Sequence, residues 1–238
     1  MYTPSNSRSD QTRNRILLAA IQEFSDHGLA GARTGAIAAG AGVNKALLYY
    51  YFRDKESLYT SALEEVAAKV AGAALAVLDM DCSPGERLLR FALQHFDRVT
   101  AHQAFQALMQ QEMIRFREGQ SNAMEVIAKI AFEPMFTRAQ DIAAEGIGVG
   151  ELVDVDYMQM MYAALGANVF YFLSAPMVRL LGHGDPLSPE AVAQRRTIAI
   201  EFLGQTLFID RKRGARIAKA VLAAMPVPEI AAIERKTA

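Results

Sequence analysis

Residues 34–58 read TGAIAAGAGVNKALLYYYFRDKESL, and no other stretch limits the possible folds as strongly. Ile37, Val43 and Leu48 are spaced to build a small core between two short helices. Ala38 lies on the inner face, where a larger side chain would push the helices apart. Gly42 sits where the chain must turn sharply, and glycine accepts positive φ at little cost. Asn44 is placed to cap the second helix by accepting from the amides ahead of it, worth about 1 kcal/mol. With Leu48 and Phe52 inward, the 3.6-residue period turns Lys45, Ala46, Tyr49 and Tyr50 outward. A helix this short cannot hold itself in water, so packing must hold it. Such a helix-turn-helix presents its second helix so that it can enter the DNA major groove.

Lys55 follows the expected cap Asp54, at the start of a third helix, where a cation opposes the macrodipole by about 0.3–1 kcal/mol. That placement makes sense if a DNA phosphate is gripped by the ammonium and the helix amides together; a solvated surface lysine is the plainer reading. Three consecutive rings, Tyr49, Tyr50 and Tyr51, cannot all be buried on one face of a short helix. Tyr49 and Tyr50 are expected outward, toward phosphates or thymine methyls, and Tyr51 against the first helix.

Residues 12–58, a first helix with Phe24 and Gly28 followed by IAAGAGVNKALLYYYFRDKESL, closely resemble the DNA-binding domain of the tetracycline-repressor (TetR) family. The set Ala38, Gly42, Val43, Leu48, Tyr49, Phe52 and Lys55 carries the resemblance, which covers about a fifth of the chain. It implies an N-terminal DNA-binding head and a larger all-α region that binds a small molecule and dimerises. By position, the DNA-facing residues would be Thr34, Lys45, Ala46, Leu47, Tyr49, Tyr50 and Lys55. Arg33 stands where the family places a capping Thr or Ser, so Thr34 is expected to take the cap and Arg33 to meet a phosphate. Gly35 and Ala36 replace a charged pair and weaken intrinsic helicity. Leu47 suits a thymine methyl or a packing role.

The rest of the chain reads as helix, with apolar residues three and four apart and no sustained strand alternation. A first helix is expected over 9–27, with Ile16, Ala20 and Phe24 inward and Gly28 ending it. A long helix follows Asp54 to about residue 80. Others are expected over 84–101 (capped by Ser83, with Pro84 first), 103–118, 122–145, 154–174, 188–210 and 213–224. Breaks are expected at Gly119, at Gly146 to Gly150, and from Ala175 to Pro189. The expected domains are residues 1–55 for the DNA-binding head, 56–225 for ligand binding and dimerisation, and 226–238 as a tail.

Large, soft apolar side chains gather in the middle helices. They are ordinary core or the lining of a cavity for an apolar or aromatic effector. As lining, the candidates are Phe105, Met109, Met113, Phe132, Met135 and Phe136, with Met158, Met161 and Leu165. His95, Gln106 and Tyr162 are the candidate polar groups. Residues 157–178 carry no charged side chain across 22 positions, long enough to span a bilayer. Gln159, Asn168, Ser174 and Pro176 suit a helix buried on two sides better. Its other face (Ala163, Gly166, Phe170, Leu173), with Ile198, Phe202, Gln205 and Ile209, is the expected four-helix interface of a homodimer.

Bulk properties agree. The net charge of −1 hides seven Lys/Arg against four Asp/Glu in residues 1–55, a modestly basic end suited to phosphate. Cys82 is the single cysteine, so no intrachain disulfide or cysteine-based zinc site can form, and a reducing cytoplasm is expected. The first ten residues hold no apolar run resembling a secretory signal. Gly146 to Gly150 lacks the strand and GK[ST] of a phosphate loop, His95 and His102 complete no metal site, and no nucleophile signature is visible. The expectation is an all-α, dimeric, ligand-responsive repressor, with no cofactor, metal or catalytic site. Its partners are a double-stranded DNA operator and a small-molecule effector. Two alternatives stay open: an all-α enzyme using His95 and Glu112, and a membrane-anchored helical sensor.

Overall fold

The computed structural model describes residues 8–121 and 123–227, without the side chains of 103–105 and 107. Residues 228–238 of the expected tail, Asn122 and the Phe105 side chain therefore lie outside the described residues. The helices in order are α1 (Arg8–Gly31), α2 (Thr34–Gly40), α3 (Lys45–Tyr51), α4 (Lys55–Leu78), α5 (Pro84–Ala101) and α6 (Gln103–Arg117). They are followed by α7 (Ala123–Ile127), α8 (Glu133–Gly148), α9 (Tyr157–Met161), α10 (Ala167–Leu180), α11 (Pro189–Thr206) and α12 (Arg211–Ala224). π-helical segments, Ala128–Phe132 and Tyr162–Gly166, join α7 to α8 and α9 to α10. Among the described residues the sole β pairing is an isolated antiparallel bridge between Leu152 and Phe208.

The chain divides into two compact units, residues 1–72 with 104–134, and residues 73–103 with 135–238. This differs from the boundary expected near residue 55, and side chains explain why. In the first unit Ile16, Leu17, Ala20 and Phe24 of α1 are buried, as are Ile37, Leu48 and Leu58. The Tyr59 ring of α4 meets Phe24 edge-on at 5.1 Å. Residues of α6 join the same unit: Arg115 pairs with Glu56 at the start of α4 and, at 3.1 Å, with the fully buried Glu112. The Tyr59 phenol is pushed up in pKa by burial and then by Glu112, so it stays a neutral donor.

In the second unit α10, α11 and α12 pack on α5. Arg196 of α11 is buried and grips Asp97 of α5 through two bonds of 2.7 and 2.9 Å, while donating to the Met225 carbonyl at 2.7 Å. Gly204 and Gly214 let α11 and α12 meet backbone to backbone, since a Cβ on Gly214 would collide with the Gly204 carbonyl oxygen.

Three expected boundaries move. Gly28, at φ 65° and ψ 178°, kinks α1 without ending it, and one further turn runs to Gly31. Gly146 sits buried inside α8 because a Cβ there would lie 2.5 Å from Leu152 Cδ1; the turn comes at Gly150, φ +72°. Helix α10 continues through Pro176 to Leu180, and the break falls at Gly182 and Gly184, φ +75° and +83°.

Candidate nucleic-acid interface

Local chemistry builds the projecting helix. Ile37, Ala38 and Leu48 are buried, and Val43 is half-buried beside them. Gly42 turns at φ +64°. The Asn44 side chain accepts from the Leu47 amide at 2.8 Å and so satisfies an orphan donor of α3. At the far end Tyr51 shares a 3.0 Å hydroxyl contact with Ser9 of α1, and the Arg13 guanidinium lies 5.3 Å over the Phe52 ring. With its N-terminus capped and its C-terminal end tied to α1, α3 presents Lys45, Ala46, Leu47, Tyr49 and Tyr50 to solvent; Tyr50 is 79% exposed.

Beside α3 lies a cleft of about 630 Å³ lined by Arg33, Thr34, Gly35, Lys45, Tyr49 and Lys55, among others. Three of these residues are cationic, so the cleft has the charge and size for a phosphate. Ala46, Leu47 and Tyr50 stand outside it on the exposed face of α3. Arg33 is exposed, and its backbone amide donates to Glu23 Oε1 at 2.9 Å.

Two residues behave differently from expectation. Thr34 does not cap α2: Arg33 occupies the cap position without a side-chain bond, and Thr34 is the first helical residue. Its Oγ1 instead accepts from the Tyr49 hydroxyl at 3.2 Å. Lys55 is half-buried, and its ammonium donates to the Ala30 carbonyl at 3.2 Å. The negative, C-terminal end of α1 thereby offsets the repulsion Lys55 meets at the N-terminus of α4. Asp54 caps α4 as its position suggests, accepting from the Ser57 amide at 2.7 Å while Ser57 Oγ accepts from the Asp54 amide at 3.1 Å. That backbone bond first, and Arg53 second, hold the Asp54 carboxyl below its usual range.

The candidate lining residues divide between the units. Gln106, Met109, Met113 and Phe132 belong to the first, and the rest of the described ones to the second. Met109, Met135 and Met161 are buried, while Gln106, Phe132, Phe136 and Leu165 are half-buried. His95, packed beside Asn168 Nδ2 at 3.5 Å, is kept neutral, its pKa lowered to about 3 by burial and then by Arg98. Met113, Met158 and Tyr162 are exposed, contrary to a lining role. Tyr162 opens the π segment Tyr162–Gly166, while Met158 lies ahead of it in α9, where Met161 is the buried residue. Tyr157, Met160, Met161, Ala164 and Leu165 line an apolar cavity in the second unit instead. Tyr157 is missing from the sequence expectation, although it lies one turn before Met161 and two before Leu165, a spacing that puts all three on one face.

All eight expected interface residues are exposed: Ala163, Gly166, Phe170, Leu173, Ile198, Phe202, Gln205 and Ile209. The stretch Tyr157–Leu180 is also long and apolar enough to cross a membrane, with only 17% of its most apolar window buried. Among the described residues no group of three or more His, Cys, Asp or Glu could hold a metal.

Residues 16–62 match the family described as bacterial regulatory proteins, tetR family, and residues 84–203 match the tetracyclin repressor-like C-terminal domain. The HTH-type transcriptional repressor SCO4008 of Streptomyces coelicolor is 42% identical over 89 residues, covering 36% of this chain and 45% of that protein. The chain thus matches less than half the length of that relative. The HTH-type transcriptional repressor KstR2 of Mycolicibacterium smegmatis is 26% identical over 201 residues, 81% of this chain and 89% of the other. Among solved structures, the regulator FadR of Bacillus subtilis in complex with stearoyl-CoA shares the fold. Its TM-score is 0.61 at 19% identity, over 80% of this chain and 97% of that one.

Proposed function

The chain belongs to the tetracycline-repressor family of bacterial regulatory proteins, and on that premise we propose that it is a cytoplasmic transcriptional repressor, a homodimer released from a roughly palindromic operator by a small effector. The cleft where Arg33, Lys45 and Lys55 converge beside exposed α3 carries this reading. Phosphate contacts there set the register of the head on the duplex. Lys45, Ala46, Leu47, Tyr49 and Tyr50 then meet base edges.

A second copy is the partner that suits the outer face of α10 and α11. Phe170, Leu173, Ile198 and Phe202 are each about half or more exposed, an apolar surface that water covers at a cost. Joined there, two copies set their α3 helices in successive major grooves about 34 Å apart. An effector favouring a dimer with a different spacing weakens DNA binding, and DNA weakens effector binding equally, by about 1–3 kcal/mol.

We read the chain as neither an enzyme nor a membrane protein. Among the described residues the single polar side chain on the apolar cavity wall is Tyr157, and burial pushes its phenol up to about 12, which leaves no acid or base among them poised near neutral pH. A membrane anchor built on Tyr157–Leu180 requires detergent for extraction, so a dimer in detergent-free lysate excludes it.

Hydroxyl-radical footprinting on the DNA upstream of the chain's own gene tests the reading. Two protected half-sites about one helical turn apart are expected; uniform cleavage along the duplex overturns it.

A further inference from the structure

In the second unit, Leu88 and Phe91 of α5, Tyr157 and Met161 of α9, Leu165 of the π segment and Leu203 of α11 enclose part of an apolar cavity of about 30 Å³. A smaller neighbouring space shares Tyr157, Met160 and Leu207 with it. Among the described residues lining both, the only polar side-chain oxygen or nitrogen is the Tyr157 hydroxyl oxygen. That oxygen is buried and has no hydrogen-bond partner among the described residues.

A buried hydroxyl without a partner costs about 1–3 kcal/mol, so its retention calls for an occupant that answers it. Water is a poor one, because buried waters make about three hydrogen bonds and these walls offer one side-chain group. A charged molecule is worse, since no charged side chain is among the described residues that line the space. The walls can yield: Met160 and Met161 are unbranched and adaptable. The π segment that supplies Ala164 and Leu165 is an irregularity of the kind that gathers at functional sites.

We propose that this cavity seats the effector, an uncharged and mainly apolar molecule that presents one hydrogen-bond acceptor, a carbonyl or ether oxygen, to the Tyr157 hydroxyl. The proposal rests on the chain being effector-responsive. Burial keeps the phenol protonated, so it donates across the physiological range. Met160 and Met161 move aside to admit anything larger than the resting volume.

The test uses two probes of nearly equal shape, cyclohexanone and methylenecyclohexane, titrated into the full chain with the methionine methyl groups followed by NMR. Cyclohexanone is expected to shift the Met160 and Met161 methyls and to bind about tenfold more tightly than the hydrocarbon, the worth of one hydrogen bond. In Tyr157→Phe the two probes are expected to bind within twofold of each other. Equal affinities in the parent protein, a preference that survives in Tyr157→Phe, or unmoved methyls each overturn the site. No DNA enters this titration, so its failure leaves the repressor reading standing. Operator release measured separately with saturating cyclohexanone addresses the effector role: release supports it, and an unchanged complex despite occupied methyls overturns it.

Discussion

The stem of Lys45 lies across the bare Cα of Gly35, where a Cβ would come 3.1 Å from Lys45 Cε. By propensity alone Gly35 is a defect in α2; in three dimensions it makes room for a cation on the wall of the cleft. Gly35→Ala is therefore expected to separate folding from binding. Stability rises by about 0.5–1 kcal/mol, as for glycine to alanine in a helix, while operator affinity falls because Lys45 must shift. Thermal melts paired with DNA titrations check this, and a variant that binds as tightly as the parent contradicts it.

Lys55 and Lys45 should fail differently. Lys55 is anchored on the Ala30 carbonyl, and the proposed reading gives it a phosphate. Lys55→Ala should weaken all duplexes alike and lower the salt slope by about one. Lys45→Ala should change the preference at one base position, read from a panel of single-base operator variants. Identical behaviour of the two variants contradicts the assignment.

His95 makes stability depend on pH. In the fold its pKa lies near 3, against 6.5 for the free group. Above pH 7 neither state holds the proton, and the native fold keeps its full stability. Below 6.5 the unfolded chain takes up a proton that the fold refuses, so stability falls with pH until about 3 and then levels. From pH 7 to pH 5 this one group costs about 2 kcal/mol. The melting temperature of His95→Gln should drop less over that interval than the parent's; equal drops contradict the account.

The crossing of α11 and α12 tolerates no side chain. Because a Cβ on Gly214 meets backbone, Gly214→Ala must separate the helices, at about 3 kcal/mol. Chemical denaturation measures it, and a loss under about 1 kcal/mol rejects the close crossing.

What was legible in the sequence was local. Gly42, Asn44, Asp54 and Ser83 each act within a few residues of themselves, and each sits where turn and cap chemistry puts it. What escaped was register and long-range pairing. Met158 and Tyr162 are exposed while Tyr157 lines the cavity wall, so the inward stripe runs through Tyr157, Met161 and Leu165. The ion pairs of Arg115 with Glu56 and Glu112, which place most of α6 in the first unit, have no periodic signature. Thr34 was misread because capping preference ignores the Tyr49 hydroxyl that reaches it from α3.

The most direct measurement is a competition titration of the purified chain between the duplex upstream of its own gene and a scrambled duplex of equal length, across a salt series. The account predicts two chains per specific site, a preference of about 10³-fold or more for the native duplex, and affinity that falls steeply as salt rises. Equal affinity for both duplexes at every salt concentration would contradict it.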